Sequence, residues 1–241
     1  ETVEIIESNA LNCVRGRAIR AIAKLLWESA DYYSQFKDCI SELINDINPI
    51  INYAVLWALW PIYNIEKTWA VERIMLLFAK NYKMIGVYNS RWMLCHCYSD
   101  YKTIIIDAVN KAAKTKDNRL IKVSGYSMSE LYMIYDEYDD LLNIYRNVDK
   151  DLRRFMLEML IIYFGVDKYK NKAKAILIEI IDIENDLDND FLWGKLFSDE
   201  MLDVKEDFDL IKKILCSRLN RRILMDFTEF IVKQGDLKDY S

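Results

Sequence analysis

Cys95, His96 and Cys97 stand side by side and include the only histidine of the chain. Thiolate and imidazole are zinc ligands, and together they form the nucleophile and base of thiol catalysis. Consecutive helical residues point about 100° apart, so three in a row on a helix do not converge on one ion. Small cysteines packed between helices are the simpler reading. With no second histidine, a Ser-His-Asp or Cys-His arrangement must use His96, and no spacing marks its partner. Asp186, Asp188 and Asp190 have the 1-3-5 spacing of a calcium loop. Its glycine position holds Phe191 and its glutamate position holds Phe197, so a solvated acidic turn is expected. Gly194-Lys195 is followed by Leu196 and not by serine or threonine, and the six glycines are scattered. Neither a P-loop nor a dinucleotide fingerprint is present. Paired carboxylates such as Asp139-Asp140 carry no sign of burial and gain no catalytic role. The segment is therefore expected to be no enzyme in itself, with no catalytic residues, no cofactor and no metal.

What remains is surface chemistry. Arg15, Arg17, Arg20 and Lys24 share one helical stretch, and Arg218, Arg221 and Arg222 another. They read first as solvated helix faces and second as a patch for a phosphate-bearing ligand. Tyr126, Tyr132, Tyr135, Tyr138 and Tyr145 cluster near helix ends. Tyrosine joins apolar area to a hydroxyl, so this run either packs hairpins together or lines a binding face. Arg15, Arg17, Arg20, Tyr126, Tyr132, Tyr135 and Tyr138 are the candidate interaction surface. Trp57, Trp60, Trp69 and Trp92 fall on apolar stripes and read as core.

Composition limits the elements that position these groups. Of 241 residues, 52% are hydrophobic and 29% charged, the profile of a globular chain with a large core. A net charge of −5 argues against a surface dominated by phosphate contacts. Five cysteines in no regular framework indicate a reducing compartment, hence the cytoplasm. The apolar run Ile50 to Tyr63 is interrupted by Asn52 and Pro61 and is too short for a bilayer, so it reads as a buried helix and no membrane partner is expected. The chain opens on Glu1 without an initiator methionine, as expected of a piece of a longer protein.

Only two prolines favour long helices joined by short turns. The first is expected over about Ala10 to Ser29, with Val14, Ala18, Ile22, Leu25 and Leu26 on its apolar stripe and Gly16 allowing a neighbour to come close. Phe36 to Ile44 follows. Asn48 and Pro49 are the N-cap and first residue of the next helix, which Pro61 ends or kinks. Further helices are expected over Ile65 to Ala79, Tyr88 to Tyr98, Tyr101 to Ala113, Asp117 to Tyr135, Tyr138 to Arg146, Asp149 to Phe164 and Lys168 to Ile181. Phe191 to Phe197, Phe208 to Leu215 and Ile223 to Val232 complete the set, before a polar tail from Gln234. A turn residue followed by an apolar one recurs, with the apolar member at Val14, Ile51, Ile121 and Leu152 and gaps of 37, 70 and 31 residues. A period of roughly 30–40 residues without strand signals implies stacked helical hairpins. The expectation is a right-handed α-α superhelix, a HEAT-like solenoid of antiparallel helical hairpins. Residues 1–241 would form a single array of about six hairpins, with 182–241 an atypical C-terminal cap.

Asn9 to Ala18, continued by Ile22, Leu25 and Leu26, resembles a recurring phrase of very large bacterial proteins, and Asp46 to Leu56 is similar to the phrase that follows it there. In that family an arginine usually stands in the place of Asn52. The proteins are STAND or NACHT-type NTPases, some antiviral, with a P-loop module upstream and a HEAT- or TPR-like C-terminal array. The resemblance implies a helical-repeat region of an ATP/GTP-binding protein whose nucleotide chemistry lies outside this segment. Such a region is a non-catalytic protein-interaction or sensor scaffold, with other domains of the same polypeptide and a protein ligand as partners. The alternative is a HEAT-type nucleic-acid-binding module, which requires Arg15, Arg17 and Lys24 to share one face.

Overall fold

The computed structural model describes residues 1–183, 189–198, 201–217 and 221–238; among these there are helices and turns and no strand, so the chain is all-α. It divides into two compact units, Glu1–Ser127 and Met128–Ser241, where the sequence reads as one array.

In the first unit, the stretch expected as one helix from Ala10 is two: α1 (Val3–Asn12) and α2 (Val14–Glu28), broken at the extended Cys13. The Cys13 sulfur accepts the Gly16 N–H at 3.2 Å and so acts as the N-cap of α2. The buried stripe of α2 is Gly16, Ile19, Ala23 and Leu26, not the one expected. Val14 is 85% exposed, whereas Ile51, Ile121 and Leu152 are buried, so the first copy of the recurring phrase lies in a different register. Gly16 does admit a neighbour: a β-carbon there would lie 1.9 Å from the Ala10 carbonyl oxygen of α1.

After α3 (Tyr33–Ile44) comes α4 (Pro49–Ile65), buried on nearly every side and packed against α1, α2, α3 and α5 (Lys67–Lys80). Asn48 caps α4 by accepting the Ile50 N–H at 2.9 Å, with Pro49 at the first helical position, as the sequence indicates. Pro61 does not end α4, which continues to Ile65. Burial of Leu59 and Ile62 on either side of the proline outweighs the roughly 3 kcal/mol that an internal proline costs. Asn52 is buried and donates to the Asp46 carbonyl at 3.0 Å, while Arg15 reaches the Asp46 carboxylate at 2.5 Å. The Asn48 N–H and Arg15 together hold the Asp46 carboxyl below the usual carboxylate range.

A 3-10 turn (Tyr82–Gly86), α6 (Ser90–His96), α7 (Tyr98–Ala113) and the start of α8 (Asn118–Tyr135) complete this unit. Here α1 returns. Its Val3 N–H donates to the Asp117 carboxylate at 2.6 Å, and the Val3 side chain abuts Gly86. A strict row, in which each hairpin touches only the next, would not make contacts across 114 residues. Within this unit α1 stands outside such a row.

The second unit contains the end of α8, α9 (Leu141–Asn147), α10 (Lys150–Phe164), α11 (Lys170–Ile183), α12 (Asp190–Ser198), α13 (Phe208–Cys216) and α14 (Arg221–Lys238). The buried side of α10 packs on α11, and Ser129 of α8 donates to the Met156 carbonyl at 2.9 Å. Asp207 is buried and takes Lys170 at 2.8 Å, Lys174 at 3.5 Å and the Asp203 N–H at 2.9 Å. Gly165 ends α10 as expected, although in the right-handed region. The expected polar tail is helical as far as Lys238, so α14 is longer than its apolar stripe indicates. Asp186, Asp188 and Arg218 lie outside the described residues; Arg221 and Arg222 open α14.

Candidate binding groove

Two cavities in the first unit, of about 440 and 540 Å³, share Glu7, Tyr88 and Asn89 and so adjoin. Helix periodicity builds their walls. On α2, Arg20, Lys24 and Trp27 follow one another at i, i+4 and i+7 and project from one face into the first cavity. Trp57 and Trp60, at i and i+3 on α4, form its other wall. The second cavity takes Arg91 and Trp92 from α6 and Arg119, Lys122 and Tyr126 from α8, the last three at i, i+3 and i+7.

Between the cavities stands Tyr88, 84% exposed. Its position follows from a turn closed by the Ser90 N–H on the Val87 carbonyl at 3.2 Å. Asn89 occupies the third place of that turn at φ 68° and ψ −2°. A left-handed residue is required there, and asparagine is among the few side chains that tolerate it. The turn holds the phenol ring out in solvent.

The other rings are braced from behind. Trp92 stacks on His96 at 4.1 Å between centroids and meets the edge of Tyr63 at 5.5 Å. Trp57 has its edge contact with Tyr53 at 5.7 Å. The Arg91 and Lys122 charges lie 5.3 and 5.5 Å from the Tyr126 centroid, within cation–π range. Beneath the shared segment, Glu7 and Arg119 form an ion pair at 2.5 Å over the buried Tyr53. Burial pushes the Tyr53 phenol up, and the Glu7 carboxylate adds to it. Its hydrogen bond to Glu7 likewise holds the Arg119 guanidinium charged. Arg20 and Lys24 have no ion-pair partner among the described residues. In a chain of net charge −5, five cations and one carboxylate line these two cavities.

Of the residues singled out from sequence, Arg20 and Tyr126 lie in the groove. Arg15 is committed to Asp46 and ties α2 to the turn before α4, and the Arg17 Nε donates to the Leu11 carbonyl at 3.3 Å across the α1–α2 corner. Of Arg15, Arg17 and Lys24, only Lys24 lines either cavity. Tyr132, Tyr135 and Tyr138 belong to the second unit, all half-buried. The Tyr132 ring lies 4.3 Å from the Lys172 ammonium, and Tyr138 adopts φ 59°. Tyr145 is fully buried. None of Trp57, Trp60, Trp69 and Trp92 is core: the first three are half-buried, and Trp92 is 41% exposed. Each stands where its helix face turns from the interior to the surface. Trp193 is the tryptophan that is fully buried.

Cys95 and Cys97 are packing residues, both buried, with the Cys97 sulfur 3.2 Å from that of Met93. Burial pushes the Cys97 thiol up, away from a reactive thiolate. His96 lies on the exposed side of α6, its Nδ1 2.9 Å from the Trp92 carbonyl. Among the described residues no three His, Cys, Asp or Glu side chains are grouped as metal ligands, and no helix is long and apolar enough to cross a membrane.

Sequence reasoning missed Trp27, Tyr88, Trp92, Arg91, Arg119 and Lys122. Part of the signal was present: Arg20-Lys24-Trp27 and Arg119-Lys122-Tyr126 are both two cations and a ring on a single helix face. No protein family, no curated protein and no solved structure matches the chain.

Proposed function

We propose that this chain is a non-catalytic recognition module whose binding face is the groove of the first unit. The observation that carries the reading is Tyr88, held in solvent by a tight turn between two cavities that other rings line. Exposed aromatic area is disfavoured by about 25 cal/mol per Å². A contiguous run of such area with a charged rim is the mark of a surface that a ligand covers. The braced rings give the groove its form before the ligand arrives, which lowers the ordering cost of binding.

We read the module as part of a larger bacterial, cytoplasmic, antiviral protein with the nucleotide chemistry in another domain, a reading whose support is the sequence resemblance to STAND-type NTPases. The α4–α5 and α10–α11 pairs support a reading of HEAT-like hairpins as its repeat units. Ligand occupancy would then bias how helices pack and so act on the NTPase domain. This requires different affinity for two arrangements of the array.

Paired captures from bacterial lysate test the groove: the chain against its Tyr88→Ala and Trp27→Ala variants, scored for protein and for nucleic acid. Both positions are exposed, so folding is retained. A species held by the parent sequence and lost in both variants is expected. Species that bind all three equally would place the binding face elsewhere.

A further inference from the structure

We infer that the occupant of this groove is a flexible single-stranded nucleic acid, with bases on the rings and phosphates on the cations. The inference rests on the groove being the binding face.

Three observations favour it. First, cations and rings share the groove. Arg20, Lys24 and Trp27 lie on one face of α2, Arg119, Lys122 and Tyr126 on one face of α8, and Tyr88 lines both cavities. A single strand presents both charge and flat apolar surface, one phosphate and one base per nucleotide, and non-specific binders meet it with a basic groove and stacking platforms. Second, the rings are reachable. Trp27 is 60% and Tyr88 84% exposed, against 41% for Trp92, one side of which His96 covers. A duplex hides its base faces and would leave these rings unused. An acidic peptide would engage the cations but brings no regular series of flat faces. Third, the charge is local. Arg20 and Lys24 have no anionic partner among the described residues, while the chain as a whole is acidic. Arg20 and Lys24 thus put unneutralised positive charge in the groove of an acidic chain, where it attracts and aligns a strand's phosphates.

The magnitudes follow from the contacts. Arg20 and Lys24 supply two phosphate contacts. Two such contacts to a single strand give a log–log salt slope of about −1.4, so affinity falls roughly 7-fold between 50 and 200 mM salt. Removing Arg20 and Lys24 takes away most of that slope. Removing one stacking ring costs about 5-fold or more at any salt.

Fluorescence anisotropy on the 241-residue chain tests this, with three probes: a labelled oligo-dT of 16 nucleotides, the same length of duplex, and an acidic peptide carrying one tryptophan. The oligonucleotide is expected to bind more tightly than the duplex. Tyr88→Ala should weaken it with an unchanged salt slope, and Tyr88→Phe should restore it. Arg20→Gln with Lys24→Gln should lower the slope. Equal or tighter duplex binding, or oligonucleotide binding indifferent to Tyr88→Ala, would overturn the inference. Peptide binding that Tyr88→Ala abolishes, with no oligonucleotide binding, would overturn the nucleic acid and keep the groove. If no probe responds to either variant and the lysate captures are also unaffected, the groove reading itself fails.

Discussion

Gly16→Ala sets two effects against each other. Alanine is favoured over glycine in a helix interior by about 1 kcal/mol, so local propensity alone makes the substitution stabilising. The structure says the opposite. The new β-carbon would lie 1.9 Å from the Ala10 carbonyl oxygen and 2.8 Å from its carbon, both backbone atoms of α1. Real β-carbons stay beyond 3.0 Å, so α1 and α2 must separate by more than an ångström at their closest point. A gap of that size forfeits a quarter to a half of each dispersion contact across it, and Val3, Ile6 and Ala10 of α1 are all buried. Overpacking of this kind costs typically 1–3 kcal/mol when the surroundings give way, and more when the clash is with main chain. Complete release of α1 would lose the burial of Val3 and Ile6, about 3–6 kcal/mol at most. The net expectation is a loss of about 2 kcal/mol, equivalent to a fall in Tm of about 4–8 °C. Urea and thermal unfolding measure it. Hydrogen exchange across residues 3–12, faster in the variant, separates release of α1 from general weakening. An unchanged or higher Tm would refute the close approach, and with it the account of how the α1–α2 corner aims Arg20, Lys24 and Trp27.

Asp46→Ala removes the carboxylate that accepts the Asn48 N–H at 2.8 Å and Arg15 at 2.5 Å, an expected loss of about 1–2 kcal/mol at neutral pH. Because the folded-state carboxyl is held low, its contribution is present above the ordinary value near 4 and disappears as pH falls through the folded value. Urea midpoints of parent and variant should therefore converge below about pH 4. The Tyr33 phenol, part-buried and bonded to Glu66 at 2.5 Å, is pushed up to about 12. Its contribution is complete below the ordinary tyrosine value near 10 and is lost as pH rises through about 12. The phenolate absorbance of the parent minus that of Tyr33→Phe should therefore rise late, around pH 12. Asp207→Ala leaves Lys170 and Lys174 without their buried partner and should cost about 3–5 kcal/mol in unfolding experiments; a loss below about 1 kcal/mol would make the triad a surface ornament.

The parts of the fold that local rules govern were readable. Asn48-Pro49 announces a helix start because the side-chain oxygen and the missing N–H satisfy the same orphan donors anywhere. The α2 stripe was misread because Val14-Ala18-Ile22 and Ile19-Ala23-Leu26 are both apolar ladders at helical spacing. What separates them is Gly16, whose importance is the atom it lacks and which hydropathy does not register. Pro61 is expected to end or kink α4 because its cost is local and known, while the burial around it that carries the helix on to Ile65 is tertiary.

The groove shows the same division at larger scale. Each wall is an ordinary helical face: Arg20-Lys24-Trp27 on α2, Trp57-Trp60 on α4, Arg119-Lys122-Tyr126 on α8. A row of hairpins would keep the first and last of these apart, since α2 and α8 are separated by the whole of the first unit's sequence. The cavities they line adjoin where α1 doubles back, its Val3 N–H on Asp117 and its Glu7 on Arg119. Those bonds span 114 and 112 residues, a separation at which no periodicity points to a partner. Glu7 of the ion pair that closes the unit lines both cavities, so the contact that breaks the expected row also helps to make the site. Charge reversal tests that double role: Glu7→Arg with Arg119→Glu should restore the closure that either change alone disrupts. With the pair swapped and the unit closed, the rings keep their places, and any change in ligand affinity reports the exchange of charge alone.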